Sequence, residues 1–110
     1  MKNYEFYGIR IDYEHYYKVG DIHDPSHQWW QDDPEDGSEF NEEENAWDGG
    51  ALNGTSAFAC TLENIDEVVQ YAKAHFVGHA IYLIGGNISE LGNDKNEIII
   101  QDAEILQVIE

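Results

Sequence analysis

Between Lys18 and Lys73 the chain carries no lysine and no arginine, while aspartate and glutamate recur throughout that stretch. Over all 110 residues, 23 acidic side chains stand against 5 basic ones, a formal net charge of -18. Self-repulsion on this scale weakens any compact state, so the fold needs substantial apolar burial, and the acidity is either used or carried for solubility. The material for burial is present: 42% of the residues are hydrophobic and 13% aromatic, the composition of a folded domain rather than a disordered chain. At this length a single domain over residues 1–110, built on one modest core, is expected.

The charge also sorts the partners. Direct binding of DNA or RNA needs cations to replace condensed counterions, and only the scattered Lys2, Arg10, Lys18, Lys73 and Lys95 are available. A basic protein surface, such as a nucleic-acid-binding cleft, is instead attracted with a fast, salt-sensitive association. Cys60 is the only cysteine, so an internal disulfide and a cysteine-based zinc site are excluded, as suits a reducing cytoplasm. The opening Met1–Phe6 has no apolar core of a secretion signal, and no stretch is long enough to span a bilayer. A cytoplasmic protein with no membrane contact is expected.

Along the chain, residues 4–13 alternate apolar and polar side chains as a strand does, with Phe6, Gly8 and Arg10 on one face. Residues 22–50, rich in Asp, Glu, Pro, Ser and Gly, read as a long acidic loop interrupted by Trp29, Trp30, Phe40 and Trp47. Residues 51–60 read as a turn entering a short buried strand. From Thr61 to Phe76 the period becomes helical, with Ile65, Val68, Val69, Ala72 and Phe76 on one face, Thr61 or Asn64 as N-cap, Glu67 completing a capping box and Gly78 as C-cap. The apolar run 80–84, stopped by Gly85 and Gly86, then residues 97–100 and 105–109, read as three strands. The expected fold is α+β: a small, mostly antiparallel sheet, one main amphipathic helix and a long acidic loop.

Three short motifs occur in a telling order: Tyr7-Gly8-Ile9-Arg10-Ile11-Asp12, Gly54-Thr55-Ser56-Ala57, and Asn96-Glu97-Ile98-Ile99-Ile100. Together they resemble the Arg, Ser-Thr-Ser, Glu arrangement of mono-ADP-ribosyltransferases. The resemblance implies NAD as cofactor, Arg10 gripping its phosphates, Thr55 or Ser56 shaping the nicotinamide pocket, and Glu97 stabilising the ribosyl cation. Those residue types suit that chemistry, since arginine binds phosphate in a bidentate fork and a carboxylate stabilises developing oxocarbenium charge. Lys95 stands two residues before Glu97, where the family has Gln or Glu, and Gly54 takes the first place of the serine motif. The resemblance therefore extends to catalytically silent relatives of that fold.

Two metal patterns fall short. His23-Asp24-Pro25-Ser26-His27 offers two imidazoles and a carboxylate, but Pro25 disfavours the helical turn that would align them. Asp32 to Glu43 approaches a calcium loop, yet Pro34 occupies a ligand position. No metal site and no resident cofactor are expected.

The acidic loop is the stronger functional feature. Asp32, Asp33, Asp36, Glu42, Glu43 and Glu44, with Trp47 as a desolvated anchor, form a candidate partner-binding surface in which carboxylates stand in for phosphates. The function expected on this basis is that of an acidic inhibitor occupying the basic surface of a nucleic-acid-handling protein, as phage anti-restriction and anti-CRISPR proteins do. The transferase reading, with Arg10, Ser56 and Glu97 as catalytic residues, and a cytosolic immunity-type interaction protein are its alternatives.

Overall fold

A computed structural model describes residues 3–24, 40–41, 46–47, 54–91 and 96–110. In chain order the elements are β1 (Phe6–Asp12), β2 (Phe40–Asn41), β3 (Ala46–Trp47), β4 (Thr55–Cys60), α1 (Ile65–His75), β5 (Ala80–Gly86), β6 (Ile88–Leu91), β7 (Glu97–Gln101) and β8 (Glu104–Val108). Six of the strands form one antiparallel sheet in the order β6-β7-β4-β1-β5-β8, and the sheet curls into a half-barrel. One helix and an antiparallel sheet are the α+β architecture that the sequence pattern predicts.

The two-residue period of β1 explains how the sheet is clothed. Tyr7, Ile9 and Ile11 join Cys60, Ile81 and Leu83 in a core covered by Ile65, Val68, Val69, Ala72 and Phe76 of the helix and its end. The opposite face carries a second cluster, Ala57, Tyr82, Ile84, Ile100, Ala103 and Ile105, with Phe6, Tyr17 and Ile98 against it. With both faces covered, β1 and β5 are buried almost throughout, as befits the centre of a sheet. No helix among the described residues is long and apolar enough to cross a membrane.

The structure differs from the sequence pattern in four local features. The helix begins at Ile65 rather than Thr61, because the Asn64 side chain turns back to accept the Thr61 N–H at 2.7 Å. The expected capping box with Glu67 does not form: Asn64, the N-cap residue, makes no side-chain bond into the helix. Gly78, two residues beyond the C-cap Phe76, has φ +86 and makes the turn into β5. The strand β6 escapes sequence reading because Gly85 and Gly86 look like a stop. They continue β5 instead, and a Cβ at Gly86 would lie 2.5 Å from Ile100 Cγ2, so that close approach of chains requires the glycine.

The stretch 22–50 is not loop from end to end. Up to His23 the chain runs beside β8: Gly20 N–H donates to Ile105 O at 2.9 Å, Ile105 N–H to Asp21 O at 2.8 Å, and His23 N–H to Ala103 O at 2.8 Å. Farther on, β2 and β3 pair as a short antiparallel ladder, Phe40 opposite Trp47 and Asn41 opposite Ala46. Asp32, Asp33, Asp36, Glu42, Glu43 and Glu44 lie outside the described residues, as do Trp29 and Trp30, and only the backbone of Trp47 is placed.

Candidate functional site

β1 pairs with β5 along its whole length, from Phe6–Gly86 to Asp12–Ala80. Its ladder with β4 runs only from Tyr7–Cys60 to Ile9–Phe58. Beyond Ile9, the Arg10 side chain supplies what the ladder no longer does: Nη1 donates to the Ser56 carbonyl at 2.8 Å and lies 3.2 Å from Ser56 Oγ. The rest of the guanidinium turns to Asp12, with Nε donating to Oδ1 at 2.9 Å and Nη2 lying 2.8 Å from the same oxygen. Arg10 is 1% exposed, so a full positive charge sits inside the fold and requires its carboxylate.

The relay continues from Asp12. Its Oδ2 lies 2.9 Å from His23 Nε2, and His23 Nδ1 lies 2.9 Å from Thr55 Oγ1, with the Tyr17 ring 4.7 Å from the imidazole. Burial alone would raise the Asp12 carboxyl, but the hydrogen bond from His23 and the charge of Arg10 outweigh it and hold the group below its ordinary value. Burial pulls the Arg10 guanidinium below its ordinary value against the opposing pull of Asp12, and arginine remains a cation throughout. His23 is thus committed inward and not to a metal with Asp24 and His27. Among the described residues no group of three His, Cys, Asp or Glu side chains could hold an ion.

Where β1 and β4 part, a cleft of about 550 Å³ opens between β4, the start of β7 and the exposed flank of α1. Arg10, Ser56 and Glu97, picked from three separate motifs, all line it. Its other walls include Phe58 and Tyr71, whose rings meet edge to face at 5.7 Å, and the carboxylate of Glu67. Thr55 faces the other way, toward His23. Gly54, at the first place of the serine motif, has no room for a side chain: a Cβ there would lie 2.9 Å from the Ile100 carbonyl oxygen.

Sequence reading missed the Asp12–His23–Thr55 relay and the cleft residues Glu67 and Tyr71. The available signal for the first was the spacing Arg10-x-Asp12, which puts opposite charges on one face of a strand. The capping box expected to use Glu67 does not form. Cys60 lies under the helix, where burial pushes its thiol up to about 11, so it is packing rather than a nucleophile.

In chemical terms the cleft offers aromatic walls, two carboxylates and an arginine whose charge is already spoken for by Asp12. Such a surface favours cations over anions. Compared with family models, curated proteins and solved structures, the chain matches none.

Proposed function

We propose that the protein is an acidic binding module that occupies the basic, nucleic-acid-binding surface of a protein partner and acts as its inhibitor. The observation that carries this reading is where the few cations sit. Arg10 is buried against Asp12, Lys73 lies 3.4 Å from Glu110, and Lys18 is a single exposed lysine, so two of the three described cations are locally matched. Glu5, Glu14, Glu63, Asp66, Glu67 and Asp102 are exposed around the same body. The acidity of residues 25–53 is therefore not balanced by a basic face on the described domain, and the field of the whole molecule attracts a cationic surface.

The test is capture of partners on the immobilised protein at low and high salt, followed by elution with duplex DNA. Basic nucleic-acid-handling proteins that are held at low salt and released by DNA support the reading. Retention indifferent to both salt and DNA contradicts it.

A second reading, a small NAD-dependent mono-ADP-ribosyltransferase, is favoured by one observation: Arg10, Ser56 and Glu97 meet at a single cleft. Against it stands the electrostatics of that cleft. The guanidinium that would grip the phosphates is buried and bound to Asp12 and Ser56, and Glu67 and Glu97 would face an anionic dinucleotide. Nicotinamide release from NAD that disappears in Glu97→Gln with the fold intact would establish the transferase. No release at saturating NAD would remove it.

A further inference from the structure

We propose that the cleft between α1 and the edges of β4 and β7 receives an arginine side chain presented by the partner. This inference rests on the reading of the protein as a binder of basic surfaces, and it names the place where short-range recognition follows long-range attraction.

The shape comes first. About 550 Å³ lies within the roughly 300–1,000 Å³ typical of ligand pockets, enough for a long side chain with its flanking backbone. The lining then selects the occupant. Phe58 and Tyr71 present aromatic surface, Tyr71 half-exposed at 52%, and a planar cation stacks on such rings. Glu67, exposed on the helix, and Glu97, half-buried at the head of β7, both line the cleft. Asn64 and Asn96 add amide groups at the same mouth.

Among the described residues the only cation in the lining is Arg10, which is paired with Asp12 at 2.8 Å and also feels the charge of Glu97. Counted together, Arg10, Asp12, Glu67 and Glu97 give the described surroundings of the cleft a net negative sign. Guanidinium fits this combination better than ammonium, because it is flat, weakly hydrated and able to fork two hydrogen bonds to a carboxylate while stacking on a ring. An anionic or apolar side chain gains nothing from the two carboxylates and requires their desolvation.

The experiment is an NMR titration of the full chain with blocked arginine (N-acetyl-arginine methylamide), with blocked lysine and NAD in parallel. The expected result is saturable shifts of amides at Ser56, Phe58, Glu67, Tyr71 and Glu97, in the millimolar range, stronger for arginine than for lysine. Glu67→Gln and Tyr71→Ala should each weaken binding by roughly fivefold, while Glu14→Gln and Asp102→Asn leave it unchanged. Glu67 is exposed, so its variant tests recognition directly; Tyr71 also packs on Phe58 and His75, so the Tyr71 variant is compared with wild type at equal folded fraction, checked by thermal melting.

Shifts scattered over all acidic positions, or no saturable shift with arginine, would overturn the cleft proposal. If a basic partner is still captured in a salt-sensitive manner, only the cleft assignment fails and the acidic surface keeps its role. Tight NAD binding at these amides, with none for arginine, would overturn the proposal in favour of the transferase.

Discussion

His23 Nδ1 and Thr55 Oγ1 meet at 2.9 Å across 32 residues of chain, and between them lies the most acidic part of the sequence. His23 is buried, and Thr55 begins β4. The contact therefore ties together two described residues that flank the acidic segment in sequence, and Asp12 behind His23 fixes the ring. Thr55→Val keeps the side-chain shape and removes the hydroxyl, leaving a buried imidazole nitrogen without this partner. Urea unfolding should show a loss of about 1–3 kcal/mol. Unchanged stability would mean that this junction is held by its neighbours alone.

Asp12 carries a larger share. Replacing it with Asn leaves the Arg10 charge buried without its carboxylate, and removal of one partner from a buried pair destabilises by about 3–5 kcal/mol. The effect has a pH signature. The folded carboxyl is held below its ordinary value, so its stabilisation is complete above the range where an unfolded aspartate titrates, near pH 4, and is lost as pH falls through the folded value. The stability difference between wild type and Asp12→Asn should thus be constant near neutrality and shrink toward zero in acid. A difference that persists unchanged to low pH would assign the effect to packing rather than charge.

Gly54 offers a test of how far the serine motif can be restored. Because a Cβ would approach the Ile100 carbonyl oxygen to 2.9 Å, Gly54→Ser should destabilise the domain by about 1–3 kcal/mol, measured by thermal or urea melting. A neutral or stabilising serine would show that β4 and β7 separate easily at this point.

The parts of this structure legible in the sequence were those with a strong period. Ile65, Val68, Val69, Ala72 and Phe76 announced the helix, and the alternation around Arg10 announced β1 and its two faces. Gly85 and Gly86 misled because a close chain crossing and a chain stop use the same residue. The order Arg10, Ser56, Glu97 did locate one cleft, but not the state of the arginine. Whether a guanidinium faces solvent or fills a gap between strands depends on where the β1–β4 ladder ends, which no local pattern records. His23 was equally opaque, since its partners Asp12 and Thr55 lie 11 and 32 residues away.

The acidic segment should act mainly on encounter. Neutral amide substitutions at Asp32, Asp33, Asp36, Glu42, Glu43 and Glu44 together should slow association with a captured basic partner more than they speed dissociation, and the difference should fade as salt shortens the screening length below about 8–10 Å. Trp47→Ala should do the reverse if its ring is an anchor, because lost short-range packing appears mainly in the off-rate. Surface-plasmon traces over a salt series separate the two, and equal effects on both rates would argue against steering by this segment.

The most direct measurement is competition on the partner itself. With a captured nucleic-acid-handling protein and a fluorescent duplex, increasing amounts of the acidic protein should displace the duplex fully, with a midpoint that rises as more duplex is added. A ternary complex that holds both ligands at full affinity would contradict the proposed occupation of the nucleic-acid surface and leave the acidity to solubility alone.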